Sequence, residues 1–292
     1  LPESLQDQIK YNYDLSKHSW FGIGGVSSIF FQPKDKNHLK NFLKNTELKK
    51  FLSIGSGSNI LFRERVFQGV IIKLGKGFTQ IKEKDGKIFA DAGVHKNSVA
   101  EFAKKNGFSQ FEFMAAIPGT VGGGVFMNAG CFGSEFSDLI EEVNIIDLKG
   151  NEICLKKKDI NFSYRTSNID NNFIIFNVLF KKTKKEIIPN IIKKISLYKF
   201  KKKRDQPQAI KTGGSTFKNP TNKTHMKAWE LIRKYDCHNL KFGNAKFSSL
   251  HCNFIDNSER ASSKDIEKLI KATQKKIYKK SGIALELEIK IV

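Results

Sequence analysis

The sequence predicts a folded protein that mixes strands with helices, as one large domain or two modest ones. The chain has 292 residues, of which 39% are hydrophobic and 27% charged, a balance that excludes a disordered or fibrous protein. The first half alternates short apolar runs with glycine-rich turns, a pattern typical of strands. The last third combines helical periodicity with an alternating segment at its end. No run approaches about 18 uninterrupted apolar residues, so we expect no membrane-spanning helix.

Helix and hairpin signals occur in the first half. A helix is expected to begin near Asn97, with Ser98 as its cap and Glu101 as the partner in a capping box, and to stop at Gly107. The dipeptide Lys149-Gly150 is expected to turn a hairpin. Strands are expected at 69–74, 87–94, 142–148, 152–155 and 173–180.

The composition becomes lysine-rich from about Lys181, and we place a boundary at 182–206. Beyond it the pattern predicts helix, strand, helix and strand, at 225–234, 251–255, 262–281 and 284–292. The second of these helices is well marked, because Ser262 and Asp265 can form its N-terminal box and Gly282 can end it. The closing segment alternates apolar with charged residues, which predicts a strand with one buried face.

The charge balance is strongly basic, with 51 Lys and Arg against 29 Asp and Glu and a net charge of +22. Three explanations are compatible with it: nucleic-acid binding, a positive field that attracts an anionic substrate, and compositional drift. The lysines are scattered rather than confined to one stripe, which favours drift. The four cysteines show neither a Cys-x-x-Cys pair nor finger spacing, so we expect reduced thiols and no zinc site.

Three glycine-rich segments are candidates for ligand binding, at 53–61, 116–124 and 212–220. The first is neither a dinucleotide-binding fingerprint nor a P-loop, although its glycines and serines could hold an anion. The second would let the backbone pass close to a ligand, or pack tightly against another segment. The third places Ser215 beside two glycines without the elbow motif of hydrolases. The first and third segments have a plain turn as an alternative, and Arg165 and Glu288 could be ordinary surface charges.

Taken in order, these segments resemble the UDP-N-acetylenolpyruvoylglucosamine reductase family, whose members are flavoenzymes of peptidoglycan precursor synthesis. The resemblance runs from about Phe21 to the C-terminus and matches the shorter form of the family, which lacks a tyrosine-bearing loop. The segments that carry it are Ile54–Leu61, Ile117–Gly123, Asn128–Gly130, Tyr164–Arg165, Gly214–Pro220, His251–Phe254 and Leu285–Ile289.

The resemblance implies an α+β fold. It implies a vanillyl-alcohol-oxidase-type FAD-binding domain at 1–185, made of two α+β subdomains that divide near 75. A basic connecting segment at 186–206 and a smaller α+β substrate-binding domain at 207–292 would follow. It also implies a cytoplasmic monomer that acts on small molecules and binds neither nucleic acid nor a membrane.

The resemblance further implies non-covalent FAD, because Ser58-Asn59 stands where relatives with attached flavin often have histidine. The first glycine turn would hold the pyrophosphate and the second segment would line the flavin. The residues implied for the cofactor are Gly55, Ser56, Gly57, Ser58, Asn59, Ile117, Pro118, Gly119, Thr120, Gly122, Gly123 and Asn128.

The implied reaction is the reduction of enolpyruvyl UDP-N-acetylglucosamine to UDP-N-acetylmuramate, with NADPH as the hydride donor. Hydride reaches C3 of the enolpyruvyl group, and the charge that develops at C2 spreads into the carboxylate. Arg165 matches the residue that balances this charge, and its planar guanidinium suits a carboxylate. Ser215 matches the proton donor to C2, and Glu288 matches a third catalytic position. Residues implied to bind the substrate are Tyr164, Lys218, Asn219, Lys203 and Arg204.

Overall fold

The computed structural model describes residues 8–48 and 50–292. The strands of these residues are β1 Ile9–Asp14, β2 Val26–Phe31, β3 Phe51–Ile54, β4 Ile60–Leu61, β5 Phe67–Lys73, β6 Ile81–Lys84, β7 Lys87–Asp91, β8 Gly130–Cys131, β9 Ser134–Glu135, β10 Ile140–Asp147, β11 Glu152–Lys156, β12 Phe162–Ser163, β13 Thr166–Ser167, β14 Phe173–Phe180, β15 Lys241–Phe242, β16 Ala245–Phe247, β17 Ile255–Asp256 and β18 Lys290–Ile291. The α-helices are α1 Lys36–Lys44, α2 Lys96–Lys105, α3 Val121–Phe126, α4 Ile188–Asp205, α5 Ala228–Lys234 and α6 Ser263–Ser281. Short 3-10 helices lie at Ser16–His18, Lys76–Phe78, Glu112–Ala116, Phe136–Asp138 and Lys157–Asp159.

The chain forms two compact units that are each built from separate stretches of sequence. Unit 1 comprises the described residues up to Tyr13 together with Ser28–Gly55 and Gln68–Lys202. Unit 2 comprises Asp14–Ser27, Ser56–Phe67 and Lys203–Val292. The mixture of helices and sheets confirms the predicted α+β class.

The core of unit 1 covers a five-stranded sheet in the order β11-β10-β14-β7-β6. Neighbouring strands are antiparallel, with Val143 of β10 opposite Val178 of β14. Helices α2 and α3 supply buried side chains such as Val99 and Val125 to the same cluster. Because strand alternation places one face of β10 and β14 toward these helices, the sheet and the helices share one apolar core.

A second sheet has the strand order β1-β2-β5-β3, with β3 parallel to β5. Helix α1 packs the side chains of Leu39, Phe42 and Leu43 into the core of this sheet. The rings of Phe31 and Phe42 stack with their centroids 3.9 Å apart. The helix begins at Asp35, whose carboxylate accepts the backbone N–H of His38 at 2.8 Å.

Unit 2 surrounds its own apolar cluster, to which α5, α6 and the three-stranded sheet β15-β16-β17 contribute. A short parallel pair joins β18 to β4. Helix α6 carries the predicted signals: the hydroxyl of Ser262 accepts the backbone N–H of Asp265 at 3.1 Å, and Gly282 takes the left-handed conformation at φ 70°. Its predicted apolar face is buried, at Ile266, Leu269, Ile270 and Ile277.

The predicted hairpin is confirmed. Strands β10 and β11 pair antiparallel, and the carboxylate of Asp147 accepts the backbone N–H groups of Lys149 and Asn151 at 2.9 Å and 2.8 Å. Gly150 has a φ of 79°, a conformation that a residue with a side chain adopts only at a cost.

The predicted cap at Ser98 is wrong. Helix α2 begins with Lys96, and the backbone N–H of Ser98 already donates to the carbonyl of His95 at 2.9 Å. His95 forms a β-bridge with Thr120, and the N–H of Lys96 donates to Gly119 at 3.0 Å. These tertiary bonds fix the chain earlier than the capping signal suggested. Gly107 does follow the helix, with a φ of 68°.

The two strands predicted near the C-terminus are shorter than expected. Only Ile255–Asp256 is strand in the first, and only Lys290–Ile291 in the second. The closing segment instead bonds to several partners in turn, including a bridge between Leu287 and Phe217. Its alternation still describes burial, because Leu285 and Ile289 are each only 3% exposed.

The capping bond of α6 gives a stability prediction. We expect Ser262→Ala to lower the free energy of unfolding by about 1 kcal/mol, because a backbone N–H loses its side-chain acceptor. Urea unfolding followed by circular dichroism measures the change. Ser258→Ala is the matched control, since the exposed Ser258 lies on the preceding turn, where its backbone rather than its hydroxyl is bonded. Equal stability of the two variants would contradict the role of the cap.

Candidate active site

Two of the predicted glycine-rich segments meet within unit 1. A Cβ atom built on Gly55 would lie 2.5 Å from the side-chain oxygen of Thr120, which is closer than real Cβ contacts. Gly55 is therefore required for the approach of the first glycine turn to the second segment. Thr120 is itself the N-cap of α3, and its hydroxyl accepts the backbone N–H of Gly123 at 3.5 Å.

The rest of the first glycine turn belongs to unit 2. Gly57 has a φ of 71°, and a Cβ on it would lie 1.8 Å from the carbonyl oxygen of His18. The side-chain hydroxyl of Ser56 is buried and has no hydrogen-bond partner within residues 8–48 and 50–292. Asn59 donates its side-chain N–H to the carbonyl of Glu288 at 2.9 Å, and its own carbonyl accepts the N–H of Lys290 at 2.9 Å. Two predicted site segments are thus joined in unit 2.

The glycines of the second segment serve different purposes. A Cβ on Gly124 would lie 2.3 Å from the ring of Phe136, and one on Gly122 would lie 3.0 Å from the Cβ of Ala92. These two positions are needed for packing, which was the structural alternative for this segment. A Cβ on Gly123 would meet only the hydroxyl of Thr120, at 3.6 Å. Gly123 is therefore the member of the run with room beside it for a ligand.

Asn128 is fully buried and links two segments of unit 1. Its side chain donates to the carbonyl of Ser163 at 3.1 Å and accepts the backbone N–H of Ser137 at 3.0 Å. Ser163 precedes Tyr164 and Arg165 in the turn between β12 and β13. Because protein groups already occupy both ends of the Asn128 amide, contact between this residue and a cofactor would come from its backbone.

Arg165 occupies a strained position in this turn, with a φ of 57°. Its guanidinium donates to the carbonyl of Gly130 at 2.8 Å and lies 5.1 Å from the ring centroid of Tyr164. Left-handed backbone at a non-glycine residue is costly and often marks a functional position. Tyr164 remains 38% exposed beside it.

Two lysines near Arg165 have no counterpart among the predicted site residues. Lys96 is only 5% exposed, and burial together with the charges of Lys202 and Arg165 lowers its pKa to about 7. Lys202 donates to the carbonyl of Ala116 at 2.6 Å, and burial also lowers its pKa. The sequence gives no signal for either burial, because both lysines stand in ordinary helical patterns.

The third glycine segment, in unit 2, presents Ser215. A Cβ on Gly213 would lie 2.4 Å from the ring of Phe21, whereas one on Gly214 would meet nothing within 4 Å. Gly214 instead has a φ of 80°, which a glycine adopts most easily. Ser215 is half-buried and forms a bridge with Phe254. Its hydroxyl makes no hydrogen bond within the described parts of the chain, so it is available to a ligand.

Asn253 holds this segment in place, and the sequence analysis identified it only as part of a motif. Its side chain is 3% exposed and accepts the N–H of Phe217 at 3.0 Å while donating to the carbonyl of the same residue at 2.9 Å. Its carbonyl accepts the N–H of Thr216 at 2.7 Å. A doubly bonded amide of this kind fixes the backbone that carries Ser215.

Glu288 lies next to the same segment through its backbone. The N–H of Glu288 donates to the carbonyl of Thr216 at 2.9 Å. Lys218, a predicted substrate residue, forms an ion pair with Glu286 at 3.8 Å. Asn219 accepts the N–H of Ala228 at 3.0 Å, so its side-chain oxygen helps to start α5.

Lys203 and Arg204 are exposed at the end of α4. Arg204 forms a two-point ion pair with the neighbouring Asp205, at 2.6 Å and 2.9 Å. The predicted residues therefore divide between the units. Gly55, the second glycine segment, Asn128, Tyr164 and Arg165 lie in unit 1, and the others lie in unit 2.

Two family models match the chain. Residues 27–155 match a family model described as an FAD binding domain. Residues 206–292 match the UDP-N-acetylenolpyruvoylglucosamine reductase C-terminal domain.

Curated relatives match almost the whole chain. The UDP-N-acetylenolpyruvoylglucosamine reductase of Rickettsia massiliae is 39% identical over 98% of this chain and 96% of its own length. That of Pelagibacter ubique is 40% identical over 99% and 96%. The crystal structure of the Thermus caldophilus enzyme aligns with a TM-score of 0.83 at 27% identity and covers 97% of this chain and 98% of its own.

Fold, site and relatives together define the class of the protein, which is an FAD-dependent oxidoreductase. The chain belongs to the UDP-N-acetylenolpyruvoylglucosamine reductase family. Its activity is the reduction of the enolpyruvyl UDP-sugar in peptidoglycan synthesis, with FAD as cofactor and NADPH as co-substrate. The family, the fold class and the cofactor expected from the sequence are thereby confirmed. No described helix is long and apolar enough to cross a membrane.

The residues of the glycine segments fit a bound FAD. A buried hydroxyl without a partner costs about 1–3 kcal/mol, and a phosphate oxygen would relieve that cost at Ser56. Gly123 leaves space beside the start of α3. A Cβ on Gly122 or Gly124 would instead press against Ala92 or Phe136. The donors are backbone N–H groups and hydroxyls, which suit a pyrophosphate.

The contact between Gly55 and Thr120 yields a test of the cofactor site. We expect Gly55→Ala to force the two segments apart and to lower the FAD content of the purified protein severalfold, measured from flavin absorbance per chain. Thr120→Ala in the same background removes the oxygen that the new Cβ meets and should restore part of the FAD. Lys105→Ala is the control, because Lys105 is exposed on α2 and lies outside both glycine segments. Full FAD content in Gly55→Ala would refute the steric argument.

Proposed function

We propose that Arg165, Ser215 and Glu288 perform the reduction of the enolpyruvyl group in this chain. The observation that supports this most directly is the state of the Ser215 hydroxyl, which is free of protein hydrogen bonds while Asn253 immobilises the adjacent backbone. A fixed backbone with an uncommitted hydroxyl is what a positioned proton donor requires.

The chain's residues act on a substrate that changes charge during the reaction. A bound FAD, held by residues of the two glycine segments, would supply the transfer of hydride from NADPH to C3 of the enolpyruvyl group. Arg165 holds the carboxylate, and its permanent charge balances the negative charge that develops at C2 and the carboxylate. The bond to the carbonyl of Gly130 fixes the direction of the guanidinium.

Ser215 completes the reaction by giving its proton to C2. A serine hydroxyl is a weak acid in water, but a carbanionic centre is a much stronger base, so the transfer is downhill. Glu288 is positioned by the bond between its N–H and Thr216, and we assign it the third catalytic role, in which a hydrogen-bonded or protonated carboxyl assists at C2.

The remaining assignments concern binding. Cofactor contacts are proposed for residues of the first glycine turn, of the 117–123 segment and, through its backbone, of Asn128. Substrate contacts are proposed for Tyr164, Lys218, Asn219, Lys203 and Arg204. We also retain the division into an FAD-binding domain at 1–185, a connecting segment at 186–206 and a substrate-binding domain at 207–292 as a proposal.

The proposed compartment is the cytoplasm. NADPH and nucleotide sugars are cytoplasmic metabolites, and all four cysteines are free thiols, as is usual in a reducing compartment. The proposed assembly state is a monomer, which the net charge of +22 favours through mutual repulsion between copies.

Ser215→Ala tests the proton-donor assignment. We expect flavin reduction by NADPH to keep its rate within about twofold, while reoxidation of the flavin by the UDP-sugar slows at least about a hundredfold, because only the second half-reaction needs the proton. Stopped-flow absorbance of the flavin measures both. Ser258→Ala, on an exposed turn, is the control. Equal slowing of the two half-reactions would show that Ser215 has another role.

The monomer proposal is tested by light scattering of the FAD-loaded protein in physiological salt. A mass near 33.2 kDa at all concentrations is expected. A mass twice as large that persists on dilution would contradict the proposal.

A further inference from the structure

Helix α4 contacts the rest of unit 1 along a narrow strip. Of the 18 described residues of this helix, only Ile191 and Ile195 are buried, and they lie four positions apart on one face. Tyr198, one turn further on, packs against the core of unit 1 and stacks on the ring of Phe132, with the two ring centroids 4.4 Å apart. Most of the surface of α4 is therefore open to solvent.

Large apolar side chains lie on this open surface. Five exposed ones fall within a short stretch at the start and middle of the helix, at Ile187, Ile188, Ile192, Leu197 and Phe200. Ile188, Ile192 and Phe200 are separated by multiples of four positions and share one row, and Leu197 lies one turn from Phe200. Phe200 is 64% exposed. Because exposed apolar residues are normally scattered singly, this concentration, here called the apolar face of α4, indicates an interaction surface.

The charged side chains of α4 are almost all positive. The helix contains six lysines and one arginine, against a single acidic residue, Asp205, at its end. Exposed apolar side chains among lysines are the pattern of amphipathic helices that lie on membrane surfaces. The net charge of +22 would add a long-range attraction toward any negatively charged surface.

Acidic side chains beside the helix do not cancel this charge. Glu186, just before the first turn, accepts the backbone N–H of the next residue at 3.0 Å and the side-chain N–H of Asn190 at 2.9 Å. Lys194 pairs with Glu112 at 3.3 Å, and Lys199 pairs with Glu101 at 3.7 Å. These three carboxylates and that of Asp205 are fewer than the seven cations of the helix, so α4 remains positive.

We propose that the apolar face of α4 docks on the surface of a lipid bilayer that contains anionic headgroups. The lysines of α4 meet the headgroups, and Ile192 and Phe200 enter the boundary between the headgroups and the acyl chains. A nucleic acid would also attract the lysines, but its phosphates give exposed isoleucine and phenylalanine side chains nothing to pack against. Docking of this kind requires no membrane-spanning helix. The family resemblance does not imply it, so it is a property of this chain.

Co-sedimentation of the FAD-loaded protein with lipid vesicles tests the proposal. One set of vesicles is phosphatidylcholine alone, and the other contains about 30% phosphatidylglycerol, which gives it a negative surface potential. In physiological salt we expect binding to the anionic vesicles and at least about tenfold weaker binding to the neutral ones. The double variant Ile192→Ser/Phe200→Ser should bind the anionic vesicles at least about tenfold more weakly, because it loses its inserted side chains. Its FAD content and NADPH-dependent activity should be unchanged.

Tyr278→Ser is the matched control. Tyr278 is 60% exposed on α6, which is also rich in lysine, so this variant removes an exposed aromatic ring from a basic helix without altering α4. Its affinity for the anionic vesicles should stay within about twofold of that of the unaltered chain. Should the double variant lose its FAD, Lys193→Glu decides in its place, because it reverses an exposed charge one turn from Leu197 and should weaken binding severalfold.

Failure to bind the anionic vesicles in physiological salt would overturn the proposal. Equal binding by the double variant would do the same, because it would assign the attraction to net charge alone. Light scattering without lipid tests a second copy of the chain as the occupant: a dimer that the double variant converts to a monomer would reject the membrane. Binding of duplex DNA that weakens in the double variant as vesicle binding does would also reject it.

Discussion

The site depends on the close approach of backbone segments in unit 1. Glycine permits this approach, because it lacks the Cβ atom that would collide with the neighbouring segment. Gly55 meets the hydroxyl of Thr120, and Gly124 meets the ring of Phe136, each at a distance that a Cβ could not occupy without displacement. Glycine loses more conformational freedom on folding than other residues, so a run of glycines is costly. The cost is offset here because packing at Gly124 fixes α3, and the start of α3 fixes the segment proposed to line the flavin.

The strength of local signals determines how much of the fold the sequence could predict. Helix α6 follows its prediction because a cap, a stop and an apolar face agree with one another. Helix α2 does not begin where Ser98 suggested, since its first turn is set by bonds to Gly119 and by the bridge to Thr120, more than 20 residues away. The closing segment at 284–292 is apolar on one side, as its alternation predicts. Its backbone hydrogen-bond partner in unit 2, however, changes from Thr216 at Glu288 to Asn59 at Lys290, and alternation carries no information about that change.

The site was predictable to the extent that its chemistry sits in short motifs. The glycine turns, Arg165 and Ser215 are visible as such in the sequence, and their family resemblance assigns them to a flavoenzyme. The supporting residues are different. Lys96 is a common helix residue that is only 5% exposed and lies over the ring of Phe136, and Asn253 acts through two bonds to Phe217. Both roles arise from tertiary contacts, so they have no local signature.

Hydrogen bonding separates the groups that hold the fold from those left for a ligand. The amide of Asn128 is occupied at both ends, and Asn253 clamps Phe217 with both of its side-chain groups. The buried hydroxyl of Ser56 and the half-buried hydroxyl of Ser215 have no such partners among the described residues. Polar groups withheld from water ordinarily find a partner within the protein. Unmet capacity is not confined to the site, because the hydroxyls of Thr46, Thr183 and Thr216 are also buried without a partner. Ser56 and Ser215 differ from these in lying within the glycine segments that carry the family resemblance, and it is this coincidence of chemistry and place that favours a polar ligand at the two serines.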